Sequence, residues 1–486
     1  MSEKVTLGKL STGVPGLDVL LGGGLSEFSF TLIAGAPGSG KTTLAHQIMF
    51  ALAHPKRRAL FFTVLGEPPL KMLRYQQQFS FFDMDKVGTS IRYVNLSEDL
   101  RAGDFSGVLE RIMREVEDFS PGLVFVDSFR SVVQTARSGN QGLWDLQHFI
   151  QELGSRMAMW QATTFLIGEY TQTDVEANPI ITVADGMIAL SHNLHEDVVV
   201  RKIRVIKMRG QAHMGGSHTM RITDDGIRIY PRLLATVPGA YSAIERDPRR
   251  IPTGVAGLDD LLHGGLPQGH TILATGPTGI GKTILGTHFL TAGAECGEHG
   301  IALYFEKHTA RLHNAALIEM ARAGKVTVIE PRSLALTVEE MLDELTETIE
   351  RTGATRVVID SLSEIGLYLA PEFRHDLRLT VFRTLALLAG RGVSVLVTAG
   401  FEDNQPDMRF SIDNLCFLAD AVLTMRFAEI EGRLCKFMTV VKVRGSAHSN
   451  ELRAYRITEA GIEVEDHAAP YDRMLTGWPT PRPPRK

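Results

Sequence analysis

Two short stretches hold the residue types of a phosphate cradle: GAPGSGKTTL at 35–44 and GPTGIGKTIL at 276–285. Each fits G-x4-G-K-[ST]. The glycines let backbone N–H groups approach phosphate oxygens, the lysine reaches the β- and γ-phosphates, and the threonine hydroxyl holds Mg2+. The spacing predicts ATP and Mg2+ bound through Gly38, Ser39, Gly40, Lys41, Thr42 and Thr43 in the first stretch. In the second it predicts Gly279, Ile280, Gly281, Lys282, Thr283 and Ile284. Two carboxylates fit the same chemistry. Asp127 ends LVFVD and Asp360 ends RVVID, where a strand-terminal acid orients Mg2+, often through water. The plainer reading is a cap on the next helix, and its recurrence in both halves weighs against it.

These residues need a strand before each loop and a helix after it, and the pattern supplies both. FSFTLIAG and TILATG run into the loops, and apolar helical stretches leave them. ALFFTV, LVFVD and TTFLIG in the first half, and IALYF, RVVID and VSVLVTAG in the second, are unalternating apolar runs suited to parallel strands covered on both faces. Late in each half the pattern alternates, as in VVVRKIRVIKMRG, which predicts an antiparallel extension. The expected fold class is α/β, with two tandem P-loop domains, each a mostly parallel sheet flanked by helices.

The halves are copies. TGVPGLDVLLGGGL (12–25) and TGVAGLDDLLHGGL (253–266) are nearly identical, and KMRGQAH (207–213) answers KVRGSAH (442–448). Near-constant offsets between such landmarks indicate a duplicated domain of roughly 230–240 residues rather than a solenoid. The expected layout is an N-terminal domain over 1–240, a linker over 241–252, a C-terminal domain over 253–470 and a tail over 471–486.

Composition bounds the partners. The formal net charge of −5 argues against nucleic acid as the main partner. No apolar run is long enough to span a bilayer, and the first residues lack the apolar core of a signal peptide. The three cysteines form no metal or redox motif. A cytoplasmic protein without membrane contact is expected.

The duplicated TGVxGLD segment, the two phosphate loops and the two K-x-R-G-x-x-H motifs together resemble the KaiC family of RecA-like ATPases, over nearly the whole chain. The resemblance implies two stacked RecA-like domains per chain and a double-ring homo-hexamer, with two ATP per chain at subunit interfaces. It implies that Lys207, Met208, Arg209 and His213 reach across to a neighbour's ATP, as do Lys442, Val443, Arg444 and His448. It places Thr223, Asp224 and Thr458 near the base or ribose. Elementary physics agrees, because phosphoryl transfer needs positive charge around the γ-phosphate. Residues i and i+2 of an alternating strand also face one side, which pairs Lys207 with Arg209 and Lys442 with Arg444.

The chain departs from the family at its catalytic Glu-Glu pair. TVLGEPP puts Gly66 first and Glu67 second, and LYFEKHT puts Glu306 first and Lys307 second. Glu67 and Glu306 are thus the expected bases, with Glu306 also near the metal. The C-terminal site is the stronger expected engine, although Lys307 would lower the basicity of Glu306. Cys416 and Phe417 stand where the clock protein phosphorylates a Ser-Thr pair, leaving Ser411 as the fallback acceptor. The tail that binds a KaiA-type partner is missing, so that partner is not expected. The leading function is an ATP-hydrolysing regulatory switch that engages signalling proteins. A Ser/Thr autokinase, a DNA-stimulated motor and an ATP-binding pseudoenzyme are the alternatives.

Overall fold

The computed structural model describes residues 8–63, 69–97, 99, 105–127, 140–169, 183–195, 198–232, 249–305, 315–330, 337–368, 377–400, 417–468, 471–472 and 480–481. The chain divides into two compact units, Met1–Arg232 and Leu233–Lys486.

Each unit is built on a nine-stranded sheet. In the first these strands are β1 (Phe30–Gly35), β2 (Ala59–Thr63), β3 (Ile91–Asn95), β4 (Leu123–Asp127), β5 (Thr163–Glu169), β6 (Gly186–His195), β7 (Val198–Met208), β8 (His218–Thr223) and β9 (Gly226–Tyr230). In the second they are β10 (Thr271–Thr275), β11 (Gly300–Tyr304), β12 (Val326–Ile329), β13 (Arg356–Asp360), β14 (Ser394–Ala399), β15 (Ala421–Ile430), β16 (Arg433–Val443), β17 (Arg453–Thr458) and β18 (Gly461–Ala468). The first sheet runs β9-β8-β7-β6-β1-β5-β4-β2-β3, and the second repeats the order as β18-β17-β16-β15-β10-β14-β13-β11-β12. From β6 to β3 and from β15 to β12 all neighbours are parallel, and the remaining hairpin strands are antiparallel. This is the expected α/β class with its antiparallel extension.

Helices cover both faces, which is why the central strands are apolar throughout. On one face of the first sheet lies the helix Lys41–Leu52, with Leu44, Ile48 and Met49 against Ile33, Phe61, Phe125 and Ile167. On the other, Phe105–Phe119 turns Val108, Leu109, Ile112, Met113 and Val116 inward at helical spacing, onto Leu32, Leu60, Val124 and Leu166. Each such fully buried aliphatic side chain contributes roughly 2 kcal/mol. In the second unit Val338–Thr352 does the same job, started by a Thr337–Glu340 capping box and stopped at Gly353.

The duplicated TGVxGLD segment is a structural brace. The backbone N–H and hydroxyl of Thr12 donate to Asp18 Oδ1 at 2.9 and 2.7 Å, and those of Thr253 donate to Asp259 Oδ1 at 2.8 and 2.7 Å. The brace then holds the turn after β7. Gln211 Nε2 donates to the carbonyls of Leu21 and Gly24 at 2.7 and 3.0 Å. Ser446 replaces Gln211 in the second unit, and Arg250 takes over, donating to the equivalent carbonyls of Leu262 and Gly265 and to Ser446 Oγ. Arg250 falls within the expected linker over 241–252, and its three acceptors make it an anchor of the second unit.

Candidate nucleotide sites

Both phosphate loops follow a central strand and open a helix. The helices Lys41–Leu52 and Lys282–Glu295 have Gly40 and Gly281 at their N-caps, with no side-chain cap, so their first N–H groups point into the loop. Gly40 has φ 101° and Gly281 has φ 112°, and a Cβ on either would lie 2.9 Å from the Cδ1 of Ile222 or Ile457. Only glycine meets both conditions. Gly38 and Gly279 also have positive φ, with open space where a Cβ would stand.

In the first unit, Lys41 Nζ donates to the carbonyl of Ala36 at 2.9 Å, and Thr42 Oγ1 donates to Asp127 Oδ2 at 2.7 Å. In the second, Lys282 Nζ donates to Gly276 and Pro277 at 2.8 and 2.9 Å, and Thr283 Oγ1 donates to Asp360 Oδ2 at 2.6 Å. Asp360 also accepts from Thr398. Desolvation lowers the pKa of both lysines. Glu169 and then Asp127 oppose that shift at Lys41, and Asp360 and then Glu364 oppose it at Lys282. Each lysine is therefore partly desolvated beside carboxylates that favour its charged form. The Thr–Asp pairs are oxygen donors of the kind Mg2+ takes alongside phosphate and water.

A cavity of about 360 Å³ opens over the first loop, lined among others by Lys41, Thr42, Thr63, Asp127, Glu169 and Ile222. Ser39 is buried beside it, with its hydroxyl unpartnered among the described residues. Beneath the loop, His46 is fully buried and its Nδ1 lies 2.7 Å from the carbonyl of Thr42. Burial pulls its pKa down to about 4, so the ring is neutral at pH 7. Thr287 stands at this position in the second unit, bonded to the carbonyl of Thr283 at 3.1 Å. Thr43 and Ile284 follow their loops on the helices, and Ile280 is buried and accepts from Tyr455 at 2.7 Å.

The K-x-R-G-x-x-H motifs lie elsewhere. Lys207 pairs with Met187 on β6, which pairs with Leu32 on β1, three residues before the loop begins at Gly35. That is about 10 Å back along the sheet and about 10 Å across it. Lys442 pairs with Val422 and, through it, with Leu273. A β-bulge precedes each lysine, with Ile206 and Val441 as the extra residues. Ile203, Val205 and, past the bulge, Met208 all face the loop helix, whereas Ile206 packs against the opposite core. The bulge thus turns Lys207 onto the face away from its own loop helix. Simple alternation misses this, since without the extra residue Lys207 would share the face of Val205.

Lys207 and Arg209 still converge. Lys207 Nζ donates to the carbonyl of Ala184 at 2.7 Å, and Arg209 Nη1 meets Asp185 Oδ1 at 3.1 Å. Desolvation and then Arg209 lower the pKa of Lys207. Arg444 Nη2 donates to the carbonyl of Phe417 at 2.6 Å. Met208 and Val443 are buried in the sheet. His213 and His448 are half-buried in turns whose next residues, Met214 and Ser449, bond to Leu20 and Leu261. Thr223 and Asp224 are not with this group. They follow Ile222 on the hairpin that covers their own phosphate loop, and Thr458 follows Ile457 in the same way.

Glu67, Glu306, Lys307, Ser411 and Cys416 lie outside the described residues. His192 and His195 lie on β6. Among the described residues no cluster of His, Cys, Asp and Glu forms a metal cage, and no helix is long and apolar enough to cross a membrane. Glu169 is the charged cavity residue that motif reading missed, because the second half has Gly400 at its position and so does not repeat the signal as it does for Asp127.

The family model described as ATPase: KaiC matches residues 10–233 and again residues 251–469. The circadian clock oscillator protein KaiC of Picosynechococcus sp. is 29% identical over 498 residues, covering 97% of this chain and 92% of the relative. The protein of the same name from Rippkaea orientalis is 28% identical, covering 99% of this chain and 93% of the relative. Circadian clock oscillator protein KaiC 1 of Synechocystis sp. is 28% identical, with coverage of 97% and 92%.

Proposed function

The chain belongs to the KaiC ATPase family, and from that premise we propose that it hydrolyses ATP at two sites per chain, shared between neighbours in a double-ring homo-hexamer. The observation that carries this reading is the position of the K-x-R motif. In both units it lies on the face away from the loop helix, with Ile206 and Val441 packed in the opposite core, and towards the end of the strands away from its own phosphate loop. A cation so placed has no route to its own nucleotide, and a neighbouring copy supplies one.

In this reading Lys41 and Lys282 hold the β- and γ-phosphates. Thr42 with Asp127, and Thr283 with Asp360, hold Mg2+. The ion, when bound, neutralises charge building on the phosphate oxygens. Lys207, Arg209 and His213, and their counterparts Lys442, Arg444 and His448, bring charge from the neighbouring chain. Glu306 acts as base at the C-terminal site, the faster of the two, and Glu67 is a candidate carboxylate of the N-terminal site. The assembly is a cytoplasmic switch whose nucleotide state is read by signalling proteins, with neither nucleic acid nor membrane as a partner.

The test mixes two chains, each damaged only at its C-terminal site. Lys282→Ala removes the loop cation and Arg444→Ala the crossing one, so each homomeric ring has only damaged C-terminal sites. Random mixed rings regain about a quarter of those sites if the arginine acts across a head-to-tail interface. ATP turnover and light-scattering mass are measured on the same samples. Recovery of turnover on mixing is expected. Intact hexamers with no recovery would rule out the shared site, and absence of hydrolysis in the wild type would rule out the enzyme.

A further inference from the structure

Three neighbouring strands of the first sheet end in polar residues on one face. β2 ends in Thr63, β4 in Asp127 and β5 in Glu169. Two residues earlier stand Phe61, Phe125 and Ile167, all in the core under the loop helix. Strand alternation therefore aims Thr63, Asp127 and Glu169 at the loop side. Register aligns them, since Thr63 pairs with Asp127, and Glu169 pairs with Gly35, the first residue of the loop. Glu169 lines the cavity with Lys41 and Asp127, and of those two carboxylates it acts more strongly on Lys41. Asp127 is already engaged by Thr42. Thr275 pairs with Ala399 in the second sheet, so the position of Glu169 falls to Gly400 there.

We propose that Glu169 is a catalytic carboxylate of the N-terminal site. It accepts a hydrogen bond from the attacking water and takes its proton as the water oxygen bonds to the γ-phosphorus. The bond from that phosphorus to the bridging oxygen breaks, ADP leaves with the electron pair, and Glu169 returns the proton to solvent. This rests on the ATPase reading, in which both sites turn over, and adds which carboxylate takes the proton at the N-terminal one.

A fixed anion beside a triphosphate opposes nucleotide binding while assisting the reaction, so its removal should move the two in opposite directions. The experiment uses Lys282→Ala chains, in which remaining turnover belongs to the N-terminal site. Glu169→Gln, with hexamer mass as the folding control, should lower kcat about a hundredfold or more. Affinity for a fluorescent ATP analogue should stay equal or tighten, and Glu169→Asp should fall between. Unchanged kcat in Glu169→Gln overturns the proposal. So does a parallel loss of analogue affinity and kcat, which would mark Glu169 as a brace for Lys41. A higher Mg2+ requirement at unchanged kcat overturns it in favour of a metal-holding role. No turnover in Lys282→Ala alone overturns it while leaving ATP hydrolysis at the C-terminal site intact, whereas an inactive wild type removes the ATPase reading itself.

Discussion

The two units share a sheet order, a register and a loop geometry, and differ at positions that register makes equivalent. Some differences are compensated. Gln211 gives way to Ser446, and Arg250 restores the same pair of carbonyl contacts from another strand. Gln47 holds Ile227 through both backbone groups, and His288 accepts from the N–H of the equivalent Ile462. Thr287 likewise re-makes the bond of His46 to the carbonyl four residues earlier. Other differences have no counterpart: Glu169 against Gly400, and Arg356 against Leu123, which cannot make the contacts of a guanidinium. Contacts that close the scaffold are re-made by whatever residue can reach, because an unpaired buried backbone group is costly in either unit. Residues facing the nucleotide are free to diverge with the chemistry.

Three substitutions test that division. The largest effect is expected at Arg356, which is 1% exposed, pairs with Glu298, donates to the carbonyls of Pro252 and Phe289 and stacks on the Phe289 ring. Arg356→Leu, the residue of the first unit, should lower stability by about 3 kcal/mol or more because it strands buried partners. A fall in the thermal midpoint of nucleotide-free protein checks it, and an unchanged midpoint would place Arg356 among the freely exchangeable differences.

His46 comes next. Its folded pKa of about 4 lies below the usual 6.5, so between those values the unfolded chain binds a proton that the folded chain refuses. Stability is full above pH 6.5 and falls as pH drops towards 4, by about 3 kcal/mol for this group. His46→Thr should flatten that limb of the acid unfolding curve. If the curve keeps its slope, the buried ring is not the acid-sensitive element of the first unit.

The smallest effect concerns backbone strain. Phe28 has φ 60° where the second unit has Gly269 at φ 75°, and it is 45% exposed. Phe28→Gly should raise stability by less than about 1 kcal/mol, since relief of left-handed strain is partly offset by a freer unfolded chain. A calorimetric midpoint that falls instead would show that the Phe28 ring supports the corner more than its backbone strains it.

Much of both sites was legible because its signals are local. The two loops, the strand-end Asp127 and Asp360 and the duplication are short spacings, and short spacings survive in sequence. The role of TGVxGLD was not legible, since a Thr–Asp brace and a nucleotide motif look alike until Asp18 and Asp259 are seen accepting from Thr12 and Thr253. Trp160, just past the helix Asn140–Met159, is 41% exposed, because the chain turns at Gln161 with φ 53° to enter β5.

The sequence by itself determined the phosphate cradles. Their glycines, lysine and threonine lie within ten residues, and loop geometry follows from which residues tolerate positive φ. Tertiary structure decided what surrounds them. Glu169 reaches the first loop only because β5 pairs in register with β1. Lys207 leaves its own loop only because Ile206 is extruded where β7 meets β6. Both outcomes depend on pairings between strands distant in the chain. A shift of one residue in such a pairing turns every side chain to the other face, and no local spacing records that choice.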